Sequence, residues 1–198
     1  VLKAADNIDY SVSYTTRPPR GTEQNGVAYH FVDEREFLRR REEGDFLETA
    51  QVFGRWYGTS KSFIRGRLAA RRHVIMDIDV QGAAQIHTTD IPQVKIFIIP
   101  PSMEILRERL MKRATDSPQE IEKRLTIARK ELEYIPDYDY VAVNKLLCQA
   151  AREVPEIAQA EENRVGSYRD TIKGFLKREK QGFTKSSSHP SKKQNSTT

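Results

Sequence analysis

The chain has 198 residues, 37% of them hydrophobic, enough for one domain with a real core, or one domain carrying a small subdomain, and too many for wholesale disorder. Its net charge of +5 sits in the tail: residues 166–198 hold eight Lys/Arg against two Asp/Glu, net +6, and the rest carries 25 basic and 26 acidic groups, net −1, so the body shows no general nucleic-acid-binding charge. One cysteine, Cys148, excludes an internal disulfide and fits a reducing, cytoplasmic compartment; His30, His73, His87 and His189 are too scattered for a metal cluster; and no apolar run approaches the ~20 residues of a membrane helix.

The chain opens on Val1, close to its first strand signal, which we take as a truncated or processed start. Residues 10–15 alternate and are β-prone, predicting one strand that delivers Arg17 at its carboxyl end. Arg17 and Arg20 flank a Pro-Pro pair. Proline favours the polyproline II helix, with three residues per turn and about 3.1 Å per residue, so these arginines face one way, roughly 9 Å apart, and can fork onto one phosphate or carboxylate. From residue 21 to 72 the pattern is short and mixed: an Asn25-Gly26 turn, a strand over 27–32 and a charged helix over 34–43. This stretch reads as a small inserted subdomain.

Residues 73–80 form a short apolar run ending in acids and leading into a helix, the pattern of a buried parallel strand. Residues 94–99 repeat the theme and stop at Pro100-Pro101, with Ser102 as helix N-cap. Ser117-Pro118-Gln119-Glu120 combines a Ser cap, a Pro at the first helical position and a Glu at the third, a capping box. The helix it starts places Ile121, Leu125, Ala128 and Leu132 on one stripe. A last short strand is predicted over 139–143 and a last helix over 147–165; from residue 183 the text is Ser, Lys, Gln, Asn and Thr, predicting disorder. Alternating strands and helices give an α/β fold with a mainly parallel sheet.

In such sheets ligands sit beyond the carboxyl ends of strands. Arg17 and Arg20 follow one such end; Asp77 and Asp79, facing one side of a strand, close another. The two acids can read a base, hold Mg²⁺ directly or through water, or cap the next helix. Glu48 lies in F-L-E-T-A-Q, and Tyr57-Gly58-Thr59-Ser60 follows nine residues on. Guanine offers N1–H and N2–H₂ donors side by side and O6 as an acceptor, so one carboxylate can take both donors while a hydroxyl donates to O6; adenine reverses the pattern. Glu48 with Ser13, Thr59 and Asp77 makes a candidate guanine reader, and Tyr29 and Tyr57 can offer phenols to the phosphate held by the arginines.

S-x-T-T-R-x-P-R, G-V-x-Y-H-F, F-L-E-x-A, Y-G-T-S, D-I-D-V-Q-G-A, P-P-S-x-E-x-L-x-x-R-L and T-D-S-x-x-x-I-x-x-R-L follow in that order. With these motifs residues 8–165 resemble guanylate kinase, closest to the bacterial form, an enzyme that phosphorylates GMP from ATP. The resemblance implies a P-loop-kinase-like parallel sheet flanked by helices, a GMP-binding subdomain over about 17–72 and a helical lid over about 109–124, in a domain spanning 1–165 with a basic extension over 166–198. It implies a GMP site of Ser13, Arg17, Arg20, Tyr29, Glu48, Tyr57, Thr59 and Asp77, with Asp79 near Mg²⁺ and the phosphates. Arg109, Arg113 and Arg124 match the lid arginines and, with Arg20, are the candidate catalytic residues, since phosphoryl transfer needs positive charge around the moving group.

The family's phosphate loop, G-x-x-x-x-G-K-[ST], begins at none of the ten glycines. In the family it follows a central strand just upstream of this chain's first residue, so we expect this stretch alone to be inactive and poorly folded. Ala114 stands where the family usually has Gly in the lid, and Lys145 and Leu146 follow Asn144 where acids are usual, which bears on adenine contacts. Two other functions compete. A non-catalytic guanylate-kinase-like binding module fits the absent loop, while nucleic-acid contact through the tail would survive loss of Arg17 and Arg20. The retained base readers and lid arginines favour the kinase, with GMP and ATP as its small-molecule partners.

Overall fold

The predicted first strand resolves into two strands that serve different sheets. In the computed structural model, which describes residues 7–87, 89–112, 117–164, 172–174 and 176, β1 (Ile8–Tyr10) and β2 (Tyr14–Thr15) are separated by three residues. They are followed by β3 (His30–Phe31), α1 (Glu34–Glu42), β4 (Phe46–Val52), β5 (Arg55–Ser60), α2 (Lys61–Ala69), β6 (His73–Ile75), α3 (Val80–His87), β7 (Ile96–Ile99), α4 (Met103–Lys112), α5 (Pro118–Glu131), β8 (Tyr140–Val143) and α6 (Leu147–Glu162). The chain divides into two compact units, residues 1–155, which hold every strand among the described residues, and residues 156–198.

The switch between sheets is made by backbone hydrogen bonds. Ser11 N–H donates to the Ile75 carbonyl at 2.9 Å, extending the parallel β1–β6 pair, and two residues later the Ser13 carbonyl accepts from His30 N–H at 2.9 Å. Alternating β-prone residues read the same whether or not the partner changes, which is why one strand was expected. The strand expected over 27–32 is likewise only His30–Phe31. The turn before it takes more chain: Gly26, at φ +78°, donates to the Tyr29 carbonyl, the Asn25 side chain accepts from Phe31 N–H, and Val27 is left 67% exposed.

The second sheet runs β3-β2-β5-β4, with β2–β3 parallel and the other two pairs antiparallel. Its core is aromatic. Phe37, fully buried on α1, stacks on Phe46 at 4.7 Å and on Trp56 at 5.9 Å. Gly58 makes room, since a Cβ there would come within 3.1 Å of both Phe37 and Phe46.

The α/β class holds, with parallel pairs β1–β6 and β7–β8 flanked by helices. Among the described residues β6 and β7 each have one strand partner. Strand β6, expected to be buried, is therefore half-buried throughout, and Ile98 on β7 is 53% exposed. No helix among the described residues is long and apolar enough to cross a membrane.

Helix starts follow their sequence signals. Ser102 accepts from Ile105 N–H at 3.2 Å, and the Ser117–Glu120 capping box has both of its bonds. Leu110, Ile121 and Leu125 pack together with Met103 and Leu106, joining α4 to α5. Leu132 leaves the expected stripe because the chain tightens there into a 3₁₀ helix, Leu132–Asp137. Replacing Ser117 by Ala removes one half of the box and is expected to destabilise α5 by about 1 kcal/mol. Faster hydrogen exchange at the Glu120 and Ile121 amides, with the β4–β5 amides unchanged, is the measurement that checks it. The last helix ends at Glu162, three residues before the expected end; Val165, Arg113, Ala114 and the tail from 177 lie outside the described residues.

Candidate active site

The T-T-R motif is a fixture for Arg17. Thr15, fully buried, donates its hydroxyl to the Trp56 carbonyl at 3.0 Å and accepts from Arg17 N–H at 3.2 Å, while Thr16 Oγ1 accepts from Trp56 N–H at 3.0 Å. The chain leaving β2 is thereby pinned to β5. Arg17 turns inward, 8% exposed, with its guanidinium 5.3 Å from the Tyr29 ring centre and 5.8 Å from that of Phe31.

Glu23, which the sequence did not single out, fills the Arg17 fork. Arg17 Nη1 and Nη2 donate to its two oxygens at 2.9 and 3.0 Å, and the Arg20 backbone N–H donates to the same carboxylate at 2.8 Å. The hydrogen bond to Glu23 raises the Arg17 pKa against the opposing effect of burial, and Tyr57 adds to the rise. In this arrangement the Arg17 fork is filled by Glu23, and Arg20 meets the same carboxylate through its backbone. A carboxylate three residues past Arg20 was visible in the sequence, but only the turn brings it back onto Arg17. Arg20 itself is exposed.

Each residue of Y-G-T-S has a separate task. Tyr57 packs edge-on against Tyr29 at 5.9 Å, Gly58 admits the two phenylalanines, and Ser60 caps α2 by accepting from Phe63 N–H at 3.3 Å. Thr59, fully buried, donates to Glu48 Oε1 at 2.6 Å, as their cross-strand register dictates. With its only proton on the carboxylate, Thr59 orients Glu48. Ser13 is buried beside this sheet, with its carbonyl used by His30.

Glu48 is 5% exposed and its pKa is raised, chiefly by burial; the Thr59 bond opposes the rise and Asp79 adds to it. Its other oxygen lies against Gly82, where a Cβ would come within 2.5 Å. Two further bonds lock α3 to β4: Gln85 Nε2 donates to the Thr49 carbonyl at 2.7 Å and Thr49 N–H to Gln85 Oε1 at 3.1 Å.

Of the alternatives open for the two acids, Asp79 takes the capping one: its Oδ1 accepts from Gly82 N–H at 2.9 Å and its Oδ2 from Gln81 Nε2 at 3.2 Å. Asp77 opens onto solvent, yet enough protein surrounds its carboxyl for desolvation to raise its pKa. It also raises the pKa of Tyr29, after burial, so it lies within electrostatic reach of that phenol.

The lid arginines part company. Arg109 on α4 donates from Nη2 to the carbonyls of Asn144 and Lys145 at 2.9 and 3.1 Å, tying α4 to the end of β8. Arg124 on α5 sits over the Phe53 ring at the tip of the β4–β5 hairpin, 4.6 Å from its centre. Arg113 lies outside the described residues. A cavity of about 660 Å³ bounded by Val80, Ala83, Ala84, Tyr134 and Tyr138 contains none of these groups.

Two clusters therefore share the face of one sheet. Tyr57 and Thr59, two residues apart on β5, point the same way, so the Glu48 carboxylate and the Arg17–Tyr29–Tyr57 group adjoin. Comparison with known proteins gives the family. The family model described as guanylate kinase matches residues 2–161. A guanylate kinase of Nitrosomonas europaea is 47% identical over 161 residues, 81% of this chain and 80% of the relative. One of Thermotoga maritima is 42% identical over 93% of this chain and 89% of its own length. The crystal structure of guanylate kinase from Anaplasma phagocytophilum superposes with a TM-score of 0.70 at 36% identity, covering 81% of this chain and 79% of that one. With the ordered motifs, the flanked parallel strands and the buried Glu48–Thr59 pair in hand, these matches place the chain in the guanylate kinase family.

Proposed function

We propose that this protein transfers the γ-phosphoryl group of ATP to the phosphate of GMP, giving GDP and ADP, in cytoplasmic purine nucleotide metabolism. What carries the proposal is the buried Glu48 carboxylate, fixed by Thr59 on the face that Tyr57 shares. An ionised carboxylate is acceptor-only, and Thr59 occupies one of its roughly four lone-pair sites, so it matches the paired N1–H and N2–H₂ donors of guanine. Ser13 and Asp77 complete the base side. Tyr29, Tyr57, the exposed Arg20 and Arg17 address the GMP phosphate, whose charge competes with the Glu23 carboxylate for the Arg17 fork.

Arg109, Arg113 and Arg124 supply charge to the moving phosphoryl group, whose loose transition state needs positive surroundings more than a base. Mg²⁺ in nucleotide sites keeps several waters and is held largely by phosphates. The Asp79 oxygens each retain lone pairs beyond their N–H bonds, so this residue fits the ion through a water. When bound, the ion neutralises phosphate charge.

The test is ADP release by the complete protein with MgATP and, in turn, GMP, AMP, CMP or UMP. Turnover with GMP, exceeding AMP by about tenfold or more, is expected from a bidentate base contact. Equal rates with all four would overturn the proposal, and GMP binding without turnover would mark a non-catalytic binding module instead.

A further inference from the structure

The β4–β5 hairpin turns at Phe53-Gly54, with φ of +50° and +73°. Both central positions of this two-residue turn are left-handed, a geometry that Asn, Asp and Gly adopt readily and a bulky aromatic does not. The side chain at this left-handed position is also not buried: Phe53 is 42% exposed. It is covered by cations from α5, with the Arg124 guanidinium 4.6 Å and the Lys123 ammonium 5.8 Å from the ring centre. A residue that breaks the local rule for its turn and faces solvent has a reason elsewhere in the fold.

We propose that Phe53 is a positioning residue that seats the Arg124 guanidinium beside the nucleotide site, coupling the strands that carry Glu48 and Thr59 to helix α5. This rests on the proposed kinase activity. The same two strands run from the Glu48–Thr59 pair to the Val52–Arg55 pair, so the base reader and the aromatic seat belong to one stiff ladder. A guanidinium lying over a ring uses its face, whereas its N–H donors lie in its plane. The seat and a grip on phosphate oxygens therefore do not compete. The Glu120 carboxyl at the start of α5, held low first by Ser117, also lies within electrostatic reach of Arg124 and Arg20.

The test compares Phe53→Leu, Phe53→Asn, Phe53→Tyr, Arg124→Gln and the Phe53→Leu/Arg124→Gln double variant in the complete protein, reading kcat, KM for GMP and Tm. Phe53→Leu is expected to lower kcat by about two- to fivefold, the worth of one exposed cation–π contact, with KM for GMP within about twofold. Phe53→Tyr keeps the ring and restores turnover. Phe53→Asn suits the left-handed turn, so its Tm equals or exceeds that of the wild type while kcat still falls, a split that a merely structural role does not give. In the Arg124→Gln background Phe53→Leu has no further effect. Unchanged kcat in both Phe53→Leu and Phe53→Asn, or independent multiplication of the two losses, overturns the inference. If Phe53→Leu fails to fold, the Phe53→Asn arm decides. A wild-type protein without GMP-dependent turnover removes the proposed activity, and this inference with it; an active wild type with indifferent Phe53 variants removes the inference alone.

Discussion

Gly82→Ala is expected to weaken GMP binding by about tenfold to a hundredfold, the cost of losing one hydrogen bond to a charged group, while leaving ATP affinity unchanged. The added Cβ would meet Glu48 Oε2 at 2.5 Å, its Cδ at 3.1 Å and Asp79 Oδ1 at 3.5 Å. A carboxylate is usually free to swing away from such a clash. Glu48 is not, because Thr59 holds Oε1 at 2.6 Å and the residue is 5% exposed. Helix α3 cannot retreat cheaply either, since Gln85 clamps it to Thr49 on β4 through two hydrogen bonds.

The Gln85 clamp has two bonds and the Thr59–Glu48 pair one, so the carboxylate yields first and leaves its register with the base. Helix propensity works in the opposite direction, favouring Ala over Gly by about 1 kcal/mol in a helix interior. A loss of binding without a loss of α3 is therefore the expected signature. Titration calorimetry with GMP and circular dichroism of the same variant measure the two sides, and wild-type GMP affinity would show that Glu48 is not held against α3.

Glu48→Gln is expected to lower GMP affinity by about tenfold to a hundredfold and to erode the preference over AMP, within the range of one bidentate base contact. The substituted amide presents an N–H₂ donor to one of guanine's two donors. The pH dependence follows from burial, which raises the Glu48 pKa above its ordinary 4.5. GMP binding needs the ionised form, so affinity falls as pH drops through that raised value. The GMP phosphate also titrates, near 6, but it does so equally for both proteins; the ratio of wild-type to Glu48→Gln affinity isolates the carboxyl and should shrink toward acid.

Stability runs the other way. A carboxyl whose folded pKa is raised costs nothing below its unfolded value and imposes its full cost above the folded one. Asp77, raised by desolvation, adds to the trend. The Tm of Glu48→Gln should therefore gain on the wild type as pH rises from below 4.5 to neutrality, even as the variant loses its ligand. A pH-independent affinity ratio, or a Tm difference that narrows toward neutral pH, would discard this assignment.

Much of this protein is determined by the sequence alone, where the cause is local. The Ser117–Glu120 capping box, the Ser102 cap and the charged α1 helix all depend on groups three or four residues apart, and they form as expected. The family was legible too, because its motifs occur in a fixed order along the chain. Register and side-chain direction between distant segments were not. The Asn/Asp-Gly signal of a two-residue hairpin is absent at Phe53-Gly54, so neither the turn nor its aromatic seat showed in the text.

Only the tertiary structure put Arg124 over Phe53, 71 positions away, gave the Arg17 fork to Glu23, committed the Thr59 proton to Glu48 and used Asp79 to cap α3. In each case one side chain has several chemically sound partners, and composition cannot choose among them. Packing chooses, since a buried polar group takes whichever partner the register brings within about 3 Å and leaves the others unmade.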